Sequence, residues 1–135
     1  MKGKTALSDV LGNAAANGLY RIGAGALPDS VVRIDGRALT GKGAMLDEFS
    51  SALAFPDYFG ANWDALEECL TDLSWLPDCL GVLIDGADIP ELKSAKQWAS
   101  LLDILADAAQ FWRDQGRPFA VFLHGGHAAY AMVEA

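Results

Sequence analysis

Apolar positions along this chain switch between two periods, and the switches mark out alternating strands and helices. Val31, Val32 and Ile34 form a β-branched run that stops at Asp35-Gly36, the pattern of a strand bounded by a turn. Leu80-Gly81-Val82-Leu83-Ile84 is almost continuously apolar and stops at Asp85-Gly86, the same signal. Such a run predicts a strand covered on both faces, and Phe119-Ala120-Val121-Phe122-Leu123 predicts a third of the same kind. Between them the period lengthens. Met45, Leu46, Phe49 and Leu53 predict a helix opened by Thr40 or Gly41 and ended near Ala54 by Phe55-Pro56, because the residue before proline is driven out of helical geometry. Asn62 is a good N-cap for a helix over 63–73, with Pro77 as a stop beyond it. Ser94 is positioned to cap a long helix to Gln115, with Trp98, Leu101, Leu102, Leu105, Ala108, Ala109 and Trp112 inward and Gly116 at the residue after its end.

Strands that alternate with helices imply parallel pairing and an α/β layered fold. The expected architecture is a small, mostly parallel three-stranded sheet flanked by helices over residues 30–124. Residues 1–29 read as an N-terminal extension. In it, 5–16 predicts a short helix capped by Thr5 or Ser8, Leu19-Tyr20-Arg21-Ile22 a short edge strand, and 23–28 a loop. Residues 125–135, rich in Gly and Ala, read as a short irregular tail.

Charge sharpens this picture at one place. Between Lys42 and Lys93 there are eleven carboxylates and no Lys or Arg, and the 135-residue chain has a net charge of -8. Disordered acidic tracts lack apolar residues, whereas this stretch interleaves its acids with Phe49, Phe55, Tyr58, Phe59, Trp63, Leu66, Leu70 and Trp75. It therefore folds while presenting one sign of charge, which attracts cationic proteins and repels nucleic acid. No apolar run approaches the roughly 18 residues of a membrane span. The basic start, Met1-Lys2-Gly3-Lys4, is followed by Asp9, Gly12, Asn13 and Asn17 rather than an apolar signal core, so a cytoplasmic protein is expected. Cys69 and Cys79 fit reduced, partly buried thiols with a packing role, and no zinc-ligand spacing is present.

At 100° per residue, Trp63, Leu66, Leu70 and Leu73 share one helix face, while Asp64, Glu67, Glu68 and Thr71 lie on the other. A solvated helix face is the ordinary explanation of such a pattern. Here, however, no Lys or Arg stands at i+4, and Asp64 with Glu68 is a like-charge pair that destabilises the helix. The preceding Pro56-Asp57-Tyr58-Phe59-Gly60 sets two aromatics beside the acids, a combination suited to an Arg/Lys-rich partner.

The segment Phe55-Pro56-Asp57-Tyr58-Phe59-Gly60-Ala61-Asn62-Trp63-Asp64-Ala65-Leu66-Glu67-Glu68-Cys69-Leu70-Thr71 resembles the signature of the barstar family, intracellular inhibitors of the ribonuclease barnase. The order of the flanking strands and helices agrees over about residues 30–124. The resemblance implies an inhibitor whose helix and preceding loop plug the active site of a basic ribonuclease, its acids standing where RNA phosphates would bind. Carried over by position, Glu68 matches the acid entering the nuclease's cationic centre and Asp64 a second contacting acid. Tyr58 matches an aromatic packed on the nuclease, and Gly60 and Asn62 match residues shaping the loop. Glu67 stands where the family has tryptophan, Glu68 replaces aspartate, and Gln115 stands where the family uses an acid near the end of the last long helix. Those departures point to Glu67 as a determinant of partner choice and leave open another nuclease, another cationic toxin, or an acidic adaptor domain with no nuclease target.

Catalysis is the weaker alternative. Asp64 and Glu68 at i,i+4 would suit an acid/base pair or a shared divalent ion, but no His or Lys beside them completes a site. His124-Gly125-Gly126-His127 follows the last strand, yet two histidines make a weak metal site, and no Gly-x-Ser-x-Gly nucleophile elbow accompanies them. Gly23-Ala24-Gly25 lacks the Gly-Lys-Ser/Thr of a phosphate loop. Neither a cofactor nor a metal is expected. Trp98 and Trp112 read as core, and Trp75 as either core or interface.

Overall fold

Strands and helices alternate through the described residues, 5–23, 27–57 and 60–134 of a computed structural model. In chain order they are β1 (Thr5–Ala6), α1 (Leu7–Val10), a 3₁₀ turn (Ala14–Ala16), β2 (Gly18–Ile22), β3 (Val32–Asp35), a second 3₁₀ turn (Gly36–Ala38), α2 (Lys42–Ala52), α3 (Trp63–Leu70), β4 (Leu80–Asp85), α4 (Asp88–Lys93), α5 (Ala95–Gln115), β5 (Phe119–His124) and β6 (Met132–Glu134). The strands form one sheet in the order β1-β6-β2-β5-β4-β3, and every pairing is parallel.

The sheet thus has six strands rather than three. The three expected strands, β3, β4 and β5, form one half of it, and β2, β6 and β1 extend it beyond β5. The stretch read as an edge strand is interior. Gly18 to Arg21 pair with Ala120 to Leu123 on one side, while Arg21 and Ile22 pair with Met132 and Val133 on the other. The expected irregular tail supplies β6, whose Val133 is fully buried. The expected helix over 5–16 is broken instead, with Gly12 at φ +76 and the Asn13 side chain accepting from Ala15 N–H to start a separate turn. Neither Thr5 nor Ser8 caps α1, whose N-cap position is Ala6.

Side chains alternate along β4 and β5 and build two cores. Phe119, Val121 and Leu123 of β5, with Leu80, Val82 and Ile84 of β4, face a large cluster containing Met45, Leu46 and Phe49 of α2, Leu66 and Leu70 of α3, and Leu101 and Leu105 of α5. Ala120, Phe122 and Leu83 face a smaller cluster with Leu7, Val10, Leu27 and Val31. The N-terminal residues therefore cover the sheet face that the long helices leave open. Gly81 makes this possible, since a Cβ there would lie 3.0 Å from Leu11 Cδ2 and 3.4 Å from Val31 Cγ2.

The last long helix has the expected bounds but starts differently. α5 begins at Ala95, but Ser94 makes no side-chain capping bond, and the short α4 precedes it. α4 carries Pro90 in its first turn, where a missing N–H breaks no helical bond. Gly116 closes α5 in the left-handed conformation, φ +77, as expected.

Candidate functional site

The acidic helix α3 begins where Asn62 Oδ1 accepts from Ala65 N–H at 2.8 Å. The same side chain donates through Nδ2 to Gly60 O at 3.4 Å, spanning Ala61, which sits in the left-handed region at φ +53. That conformation is unfavourable for a residue with a Cβ, so Asn62 both starts the helix and holds the entry loop. Gly60 is exposed, and a Cβ there would make only ordinary contacts with Ala65 and Asn62, each at 3.5 Å. Tyr58 and Phe59 lie outside the described residues.

The two faces of α3 separate cleanly. Leu66, Cys69 and Leu70 are buried and Trp63 is half-buried, while Asp64, Glu67 and Glu68 are exposed. Among the described residues none of these three carboxylates makes an ion pair or a side-chain hydrogen bond. Lys42, at the start of α2, lies over the Trp63 ring at 5.8 Å from its centre instead. Asp64 is in the first turn, where the helix dipole favours an anion. Glu68 is near the other end, where it does not.

Behind the acids, α3 is fastened from its apolar side. Trp112 Nε1 of α5 donates to Leu70 O at 2.6 Å. Arg117 Nη2 donates to Leu73 O at 2.9 Å and Pro77 O at 2.8 Å, with its guanidinium stacked 4.7 Å from the Trp112 ring centre. Trp112, read as core, is half-buried and acts through this bond. Trp75 donates to Leu53 O at 2.9 Å and meets Phe55 edge-on, 6.1 Å between ring centres. The helix ends at Leu70, not Leu73. The Thr71 hydroxyl donates back to Glu67 O at 2.8 Å, and Leu73 turns left-handed at φ +48 while remaining fully buried. The Arg117 anchor escaped the sequence reading, and its one signal there is an arginine immediately after the helix-ending Gly116.

Both cysteines are free. Burial, then the charges of Asp72 and Glu68, pushes the Cys69 thiol pKa upward, so it packs as an unreactive thiol. Cys79 is exposed, contrary to the packing role expected for both.

A second group of carboxylates lies at the carboxyl ends of the strands. Asp35, Asp85 and His124 stand side by side in register across β3, β4 and β5. Arg37 forks onto Asp35, with Nε at 3.1 Å from Oδ1 and Nη2 at 3.0 Å from Oδ2, and these bonds hold the Asp35 carboxyl below its usual range. His124 Nδ1 is 2.8 Å from Asp85 Oδ1. The backbone N–H of His127 donates to Glu91 at 2.8 Å and its Nδ1 lies 2.9 Å from the same carboxylate, which lowers the Glu91 pKa. The two histidines thus face different acids, and among the described residues no three His, Cys, Asp or Glu side chains gather as a metal-binding group. At the end of α5, Asp114 and Gln115 are exposed, and Asp114 accepts from Gln110 at 3.0 Å. Among the described residues no helix is long and apolar enough to cross a membrane.

Residues 30–124 match the family described as barstar (barnase inhibitor). Over 82 residues the chain is 28% identical to a Bacillus subtilis (strain 168) protein named "Putative ribonuclease inhibitor YrdF", an alignment covering 61% of this chain and 88% of that protein. The matched span holds β3, β4 and β5 and the helices α2 to α5, whereas β1, α1, β2 and β6 fall outside it. Matched through the acidic helix, its entry loop and the half-sheet beneath them, the chain belongs to the barstar family.

Proposed function

We propose that this protein acts in the cytoplasm as an inhibitor that binds and blocks the active site of a basic ribonuclease through the outer face of α3 and the loop before it. One observation supports the reading above the others: Asp64, Glu67 and Glu68 are exposed together, and among the described residues no cation is paired to them. Folding alone gains nothing from this arrangement, because like charges one turn apart repel. A partner that inserts Arg and Lys side chains removes the repulsion and converts it into attraction, while the negative field speeds encounter. In this reading Glu68 enters the cationic centre of the nuclease and Asp64 contacts its margin. Asn62 and Gly60 shape the loop, Tyr58 packs on the partner, and Glu67 selects among partners. The protein itself performs no catalysis.

Glu67 and Gln115, which depart from the family pattern, favour a second reading in which the same face is retargeted to another cationic protein or toxin. Titration against a barnase-type ribonuclease, with RNA cleavage as the readout and Glu68→Gln alongside, separates the two. Stoichiometric inhibition by the wild type, lost in the variant, supports the nuclease reading. No inhibition by the wild type rejects it for that nuclease class and leaves the retargeted interface.

A further inference from the structure

The carboxyl ends of β3 and β4 border a cleft of about 480 Å³ lined by Arg33, Asp35, Arg37, Leu83, Asp85 and Gly86. A smaller one of about 200 Å³ shares Arg33, Leu83 and Asp85 with it and reaches Ile22, Leu27 and His124. Both lie on the sheet face turned away from α2, α3 and α5, since Leu83 belongs to the smaller core and its neighbour Ile84 to the larger. Among the described residues the cover is incomplete there. Leu11 and Val31 close over Gly81, but the next two positions of β4 on that face, Leu83 and Asp85, line the cleft. In parallel α/β sheets the carboxyl ends of the strands are where small ligands are bound, and the size is that of a small-molecule site.

The cleft carries both signs of charge. In a chain of net charge -8 it sets two arginines, Arg33 and Arg37, against two aspartates, Asp35 and Asp85. Arg37 is committed to Asp35, and Nδ1 of His124 to Oδ1 of Asp85. Three groups keep hydrogen-bonding capacity that no described residue fills: Oδ2 of Asp85, Nε2 of His124, and most of the Arg33 guanidinium, whose Nη2 alone donates, to Leu27 O at 3.3 Å. An acceptor and a guanidinium donor thus flank an apolar floor made by Leu83, Leu27 and Ile22. A simple anion is disfavoured there by the charge of the whole molecule. A simple cation meets only acids already neutralised in part. A ligand carrying both signs on a short apolar body pairs with Asp85 at one end and the Arg33 guanidinium at the other.

We propose that this cleft binds a zwitterionic small molecule, an α-amino acid or short peptide with an apolar side chain. Its ammonium sits on Asp85, its carboxylate on Arg33 and the outer edge of Arg37, and its side chain on Leu83 and Leu27. The site is independent of α3, and the inhibitory reading neither supports nor depends on it.

Titrating the full chain with L-leucine while recording backbone and imidazole resonances tests the proposal. Saturable shifts at Leu83, Asp85 and His124 are expected with the ligand at on the order of 10 mM, ten times the dissociation constant of about 1 mM within reach of so small a molecule. N-acetyl-L-leucine lacks the ammonium and L-leucinamide the carboxylate, so each should bind at least about tenfold more weakly. Asp85→Asn and the exposed Arg33→Gln should weaken L-leucine binding by a similar factor, the second without disturbing the His124 contact. Absence of saturable shifts overturns the proposal, as do shifts confined to α3 or affinities unchanged in Arg33→Gln.

Discussion

The acidic face of α3 and the carboxyl edge of the sheet use the same residue types and treat them in opposite ways. At the edge each carboxylate has its own cation or donor: Asp35 has Arg37, Asp85 has His124, and Glu91 has the backbone and ring of His127. On α3, Asp64, Glu67 and Glu68 have none among the described residues, and the nearby Lys42 lies on an aromatic ring. The described residues include basic side chains enough to pair some of these acids, and they lie elsewhere. Paired acids serve the fold, and acids left bare on a rigid, well-anchored helix suit a partner that brings the missing charge.

Breaking that contrast from the α3 side should have the largest effect. Asp64→Asn combined with Glu68→Gln is expected to weaken binding to the cognate cationic protein by about 4 kcal/mol, near a thousandfold, measured by inhibition titration or calorimetry. Unchanged affinity would remove these acids from the interface. The edge should respond in stability instead. A Cβ on Gly36 would run into the Gly86 carbonyl and Asp85 O, so Gly36→Ala should destabilise the fold by about 3 kcal/mol in urea denaturation. Asn62→Ala removes the cap of α3 and should lower stability by about 1 kcal/mol, with a further loss of affinity as the entry loop relaxes.

Two smaller effects carry opposite signs and sharpen the comparison most. The Glu91 pKa lies below its ordinary value of 4.5. Its contribution is therefore present above that value and lost as the pH falls through the lowered one. Glu91→Gln should flatten this acid-side loss, an effect under about 1 kcal/mol because the partner histidine is exposed, detectable as faster amide exchange in β6. Glu68→Gln should do the reverse of an edge substitution and stabilise the free protein by roughly 0.3 kcal/mol, since it removes a repulsion and a misplaced charge at the helix end. A variant that melts higher and binds worse would mark Glu68 as a residue retained at the expense of the fold.

Local signals made half of the molecule readable. Val32 to Ile34, Leu80 to Ile84 and Phe119 to Leu123 announce their strands by composition, and Asn62 and Gly116 mark helix ends by their own chemistry. The two faces of α3 follow from the helical period alone. The other half was hidden because its burial comes from far along the chain. Arg21 looks like part of a short edge strand until Leu123 and Met132 stand on either side of it, and Val133 looks like tail until it pairs with Thr5 and Ile22. The fastening of α3 was equally hidden, since nothing near Leu70 or Leu73 signals a Trp112 or Arg117 about forty positions away.

The strand order also governs how the molecule comes into being. β2 finds its partner β5 about a hundred residues later, and β1 pairs with β6 across nearly the whole chain, Thr5 against Val133. Non-local parallel pairings of this kind close slowly, and unpaired strands wait exposed during synthesis. While it emerges from the ribosome, the chain holds the N-terminal cover of the sheet before the sheet it covers exists. β6 is the last of the described strands in chain order and lies between β1 and β2, so the sheet cannot be completed before Met132 to Glu134 have been made.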